Sequence, residues 1–268
     1  MQNDTIASSP TGAAPRPPII SGPDLLPVDW SRLDGVDIHA RYHSECRGGD
    51  FFDALAISHR VLFLLTDIAG TRLQAKQVAL VAQTVFRQRA RELFEGSEVN
   101  ESDAMAALAH AVNLALIEAV DGVRFAPTFL GCFNRMLGIL TCCNAGSLLA
   151  LLREGENVRV LESTGMPLGL FTHTTFEAVV LAFQEGDGLL VVTKGVVESG
   201  RGAEEFGVER VERVLENSTA TSASEICDTV LQQAYDFANH PWSRVLGFLH
   251  PGKRQEDLTA LALVRRRL

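Results

Sequence analysis

The stretch TFLGCFNRMLGILTCCNAGSLLALLREGENVRVLES, residues 128–163, decides the fold class. Its short apolar runs are broken by NRMLG, NAGS and EGEN, which are turn-forming clusters too closely spaced for helices between them. It therefore reads as four strands joined by tight turns, an antiparallel meander. Working outward, further strands are expected at FEAVVLAF (176–183), GLLVVT (188–193) and DLTALALVRR (257–266). Upstream, GVDIHARYHS (35–44) alternates, and HRVLFLLTDIAG (59–70) is a continuous apolar run whose rim carries Asp67. Helical spacing without Pro or Gly appears over 71–95. A second helix follows Asn100 and Ser102, either of which can cap it, and two more are expected near 207–217 and 222–240. Helices come in pairs and strands in runs, so the expected class is an α+β sandwich rather than a doubly wound sheet.

Composition narrows the function classes. The 268-residue chain has 46% hydrophobic and 21% charged residues, which suits one sizeable globular domain. Residues 1–24 hold five of the ten prolines and are expected to form a disordered leader, leaving 25–268 as the domain. A net charge of -9, with no basic block interleaved with aromatics, argues against nucleic acid. No apolar stretch is long enough for a membrane helix. The cysteines (Cys46, Cys132, Cys142, Cys143 and Cys227) are odd in number and form no C-x-x-C pair, which fits a reducing cytoplasm.

The chain lacks a G-x-S-x-G elbow, a phosphate-binding G-x-x-x-x-G-K-[ST] loop and an H-E-x-x-H helix. GRGAEEFG (200–207) has the wrong spacing for a nucleotide loop. What remains is a set of acids at strand rims: Asp50 after two glycines, Asp67 at a strand end, and Glu256 and Asp257 before the last strand. Carboxylates drawn from distant segments are the hard oxygen ligands that Mg²⁺ or Mn²⁺ requires. Two ions bridged by a carboxylate can activate water for phosphoryl transfer.

ARYHSECRGGDFFDA, LLTDIAG, NAGSLLALL, GMPLGLF, EGDGLLVVTKGVVES, EEFGVERV and EDLTALAL occur in an order and spacing that resembles the PPM family of metal-dependent protein phosphatases. Within that family the chain is most similar to the SpoIIE-like bacterial branch, whose members dephosphorylate phosphoserine or phosphothreonine on regulatory proteins. The resemblance covers residues 24–266 and implies a β-sandwich flanked by helix pairs. It further implies that Asp50 helps hold the metal's water, that Asp67 bridges two ions, and that the Ile68 carbonyl is a ligand. Glu256 matches the last metal aspartate, lengthened by one methylene, and Asp257 matches its neighbour.

Three departures accompany the likeness. The family's usual TDG becomes TKG, so Lys194 stands where an aspartate would bind metal. The segment after Asp67 becomes AGTR, which introduces Arg72 as a possible phosphate contact or as a surface cation at a helix start. NAGH becomes NAGS, ending at Ser147. Three carboxylates and one ammonium leave -2 against the +4 of two divalent ions, so the second ion is poorly compensated. An ammonium ~4 Å from a divalent ion costs several kcal/mol at an effective dielectric near 20. The lysine is therefore expected to swing out, to lose its proton, or to take one ion's place between Asp67 and Glu256. Two readings stay open: a weakened Mn²⁺- or Mg²⁺-dependent protein serine/threonine phosphatase, or a pseudophosphatase that binds a phosphoprotein such as an anti-anti-sigma-like regulator without turnover.

Overall fold

The computed structural model describes residues 27–28, 33, 35–43, 49–68, 72–119, 125–201, 204–218, 222–239 and 257–266. The Pro-rich leader, Cys46 and Glu256 lie outside the described residues. The elements run β1 (Asp37–His43), β2 (Asp50–Ile57), β3 (Arg60–Asp67), α1 (Arg72–Phe94), α2 (Glu101–Ala119), β4 (Thr128–Asn134), β5 (Ile139–Ala145), β6 (Leu149–Glu154) and β7 (Asn157–Val160). They continue with β8 (Val179–Ala182), β9 (Gly188–Val192), α3 (Lys194–Val197), β10 (Gly200–Arg201), β11 (Glu204–Glu205), α4 (Val208–Glu216), α5 (Ala223–Ala238) and β12 (Leu258–Val264).

Two five-stranded antiparallel sheets form, in the orders β1-β12-β9-β6-β7 and β2-β3-β4-β5-β8. The period-2 alternation of the strands divides their side chains between three apolar layers. Val61, Phe63 and Leu65 of β3 meet Leu189, Val191, Leu261 and Leu263 of the other sheet between the two sheets. Leu62 and Leu64 point the other way, onto Ala79, Phe86, Met105 and Leu108 of α1 and α2. On the opposite side Leu190, Val192, Ala260 and Ala262 pack against Val211, Ile226 and Val230 of α4 and α5. Covered on both faces, β3 can be apolar at every central position, which is why its sequence is a run and not an alternation. Asn100 caps α2: its Oδ1 accepts from the Asp103 N–H at 3.4 Å.

The α+β sandwich with helix pairs is as expected, but the single meander is not. The β4–β5 and β6–β7 hairpins belong to different sheets, and NAGS carries the chain between them. Gly146 makes that crossing at φ 113°, a conformation L side chains rarely adopt, with Pro127 and Pro167 packed where a Cβ would stand. Strands β8 and β9 are likewise split between the sheets. Short loops identify neighbouring strands in the chain, whereas sheet membership depends on partners distant in sequence. No helix among the described residues is long and apolar enough to cross a membrane.

Candidate functional site

A cleft of about 610 Å³ is lined from both sheets, with Gly49, Asp50, Asp67, Ile68 and Asp257 beside Lys194 and Glu198. Asp50 opens β2 and Asp67 closes β3, and the antiparallel register sets them directly opposite each other. Like charges so placed oppose sheet formation, so the pair calls for a compensating cation or proton. Asp50 is 5% exposed. Its Oδ2 accepts from the Thr193 hydroxyl at 2.8 Å and the Thr259 hydroxyl at 2.5 Å. Burial, and after it the facing Asp67 carboxylate, push the Asp50 carboxyl well above the usual carboxylate range. The Thr259 and Thr193 hydroxyls oppose that rise, and Asp257 adds to it.

The backbone beside the pair is equally particular. The Ile68 N–H donates to the Gly49 carbonyl at 3.1 Å, and a Cβ on residue 49 would lie 2.5 Å from the Ile68 oxygen. Only glycine lets these strands approach so closely and keeps the Ile68 carbonyl at the cleft. The Gly49 N–H donates to Asp257 Oδ2 at 2.8 Å, while Asp257 Oδ1 is buried with no hydrogen-bond partner among the described residues.

These groups are hard oxygen donors of the kind Mg²⁺ and Mn²⁺ prefer, and the orphaned Asp257 oxygen adds one more. Among the described residues no three His, Cys, Asp or Glu side chains are grouped as metal ligands. The described groups that could hold an ion here are Asp50, Asp67, Asp257 and the Ile68 carbonyl. Asp50, Asp67 and Ile68 are thus brought together and Lys194 shares their cleft. Arg72 is the first residue of α1, but its side chain lies outside the described ones.

Lys194 does not end a strand: β9 stops at Val192, and Lys194 begins the one-turn α3. Its side chain is 61% exposed and its Nζ lies 3.2 Å from Glu198 Oε1. The two threonines that hold Asp50 were not singled out in the sequence. Both sit inside notable segments, VVTKG and EDLTALAL, yet their contacts to Asp50 span 143 and 209 residues. All four described cysteines are buried, and burial pushes the Cys142 thiol up to about 12 and those of Cys132 and Cys227 further.

Two five-stranded antiparallel sheets between helix pairs make the PPM-type α+β fold. A profile of the family described as Stage II sporulation protein E (SpoIIE) matches residues 57–266, and the chain belongs to that family. It is 23% identical over 265 residues to Protein IcfG of Synechocystis sp. (strain ATCC 27184 / PCC 6803 / Kazusa), covering 90% of this chain and 40% of IcfG. The chain thus spans about two-fifths of that relative's length. Among solved structures it is similar to the RsbU and RsbW domains of Rv1364c from Mycobacterium tuberculosis, with TM-score 0.66 and 24% identity over 87% of this chain and 62% of the other. The SiaA-PP2C domain of Pseudomonas aeruginosa superposes with TM-score 0.68 and 16% identity over 86% of each chain. RsbX, solved in complex with magnesium, shares the fold with TM-score 0.58 and 16% identity over 86% of this chain and 95% of its own.

Proposed function

We propose that this chain is a divalent-metal-dependent protein serine/threonine phosphatase, acting slowly on phosphoserine or phosphothreonine of a regulatory protein. The observation that carries the reading is the opposed pair Asp50 and Asp67 beside the Ile68 carbonyl, a concentration of hard oxygen donors at one end of the β2–β3 ladder. In this reading Asp67, the Ile68 carbonyl and Glu256 hold Mn²⁺ or Mg²⁺. When bound, the ion supplies positive charge to the phosphoryl oxygens and makes water acidic enough to attack at neutral pH. Asp50, oriented by Thr193 and Thr259, holds the attacking water in place by accepting its hydrogen bond. Lys194 weakens the site by placing an ammonium at the cleft where the family carries an acid. The magnesium in RsbX supports a metal role, and the pairing of RsbU with RsbW domains in Rv1364c supports a protein partner such as an anti-anti-sigma-like regulator.

A second reading, a pseudophosphatase that binds a phosphoprotein without turnover, is favoured by that same lysine. The assay that separates them uses a phosphoserine peptide and excess Mn²⁺ on wild type beside Lys194→Asp. Low wild-type turnover with a gain of about ten-fold or more in the variant supports the first reading. High wild-type turnover that Lys194→Asp leaves unchanged overturns the role given to Lys194, and no turnover from either protein favours the pseudophosphatase.

A further inference from the structure

Lys194 and Glu198 face the cleft from successive turns of backbone, their charged atoms 3.2 Å apart. The turn is firmly held. The Glu198 N–H donates to the Lys194 carbonyl at 2.9 Å and the Val196 N–H to the Thr193 carbonyl at 3.1 Å. The Ser199 hydroxyl donates to the Gly195 carbonyl at 2.9 Å, and the Gly207 N–H ties Val197 to the start of α4 at 2.9 Å. Gly195 and Val196 are buried, so the backbone that carries the lysine is anchored.

Residue 193, next along the chain, bonds Asp50. Lys194 thus shares one cleft with two sets of carboxylates: Glu198 on the wall, which it pairs with, and Asp50 with Asp67 on the floor. An ammonium on the floor occupies the oxygens that a divalent cation needs, and the two positive charges repel strongly at that range. An ammonium on the wall leaves those oxygens open.

We propose that Glu198 is a positioning residue that draws the Lys194 ammonium to the cleft wall and so keeps Asp50 and Asp67 open to a divalent cation. This rests on the metal-site reading above and adds the group that makes the lysine compatible with it. Glu198 acts through Lys194 and not as a ligand. The Lys194 and Glu198 side chains are 61% and 31% exposed, so the pair is a weak one, and its loss should lower metal affinity by about two- to five-fold, not abolish it.

The test is calorimetric titration of Mn²⁺ alone into four proteins: wild type, Glu198→Gln, Lys194→Met and the double variant, each first checked for an unaltered metal-free melting curve. If Glu198→Gln melts early, Glu198→Ala serves the same comparison. The expected result is a two- to five-fold weaker Mn²⁺ affinity in Glu198→Gln and a much smaller change from the same substitution in the Lys194→Met background. Unchanged affinity in Glu198→Gln overturns the proposal. An equal loss in both backgrounds also overturns it, because Glu198 would then act as a ligand or through its own charge. A wild type that takes up no Mn²⁺ ends both this inference and the metal reading. Mn²⁺ uptake with the expected pattern but no phosphatase turnover ends the enzyme reading alone.

Discussion

Asp50 and Asp67 are direct cross-strand partners in the β2–β3 ladder, with Asp50 bonded by two threonine hydroxyls and its carboxyl pushed above the usual carboxylate range. A sheet that ends in two opposed carboxylates is less stable than one that does not, by ~0.2–1 kcal/mol before burial is considered. The proposed cation would offset that cost, so the metal-free protein is the place to look for it.

Asp50→Asn should raise the melting temperature of metal-free protein by roughly 2–4 °C at pH 8, since about 1 kcal/mol shifts a domain of this size by that amount. The sign with pH follows from the raised carboxyl. Folded protein binds the proton more tightly than unfolded protein, so this group's contribution to stability improves as pH falls through the raised folded value. The difference between wild type and Asp50→Asn, measured by melting in EDTA, should shrink as pH is lowered from 8 toward 5. A gap that widens on acidification would contradict the assignment.

Gly49→Ala should damage the site more than the fold. The new Cβ would press on the Ile68 oxygen at 2.5 Å and force the two backbone segments apart. Overpacking of this kind costs about 1–3 kcal/mol, while Mn²⁺ affinity by calorimetry should fall at least ten-fold if the Ile68 carbonyl is a ligand. Unaltered affinity would remove Ile68 from the site.

Thr259→Val keeps shape but withdraws the shortest hydrogen bond to Asp50, at 2.5 Å. The hydroxyl lowers the Asp50 carboxyl toward ionisation, so its loss should weaken Mn²⁺ binding most at low pH and least at high pH. Affinity measured between pH 6 and 8.5 checks this, and a pH-independent loss would indicate displaced backbone instead.

Glu101→Gln supplies a control remote from the cleft. Glu101 Oε1 takes the Arg60 guanidinium and the Asn134 amide, each at 2.6 Å, and Arg60 also donates to the carbonyls of Phe94 and Gly96. This buried cluster joins the α1–α2 connection to β3 and β4. Breaking one side of it should cost about 3–5 kcal/mol by denaturant titration, with Mn²⁺ affinity of the folded protein unchanged.

Much of this arrangement is written locally in the chain. The apolar run ending at Asp67, the helix spacing of 71–95 and the turn clusters of 128–163 each follow from side-chain periodicity and turn chemistry, which are properties of neighbouring residues. The ordered motifs placed Asp50, Asp67 and Lys194 in one family pattern because the order of segments is also a property of the chain. Only the tertiary structure decided that β5 and β6 part into different sheets, that Thr193 and Thr259 converge on Asp50, and that Lys194 lies beside Glu198 on a four-residue helix too short to show a period. The sheet parting and the convergence on Asp50 depend on which distant groups share a hydrogen bond or a buried face once the chain has collapsed, and no local pattern carries that information, while the Lys194–Glu198 pair depends on a single helical turn that only the fold around it sets.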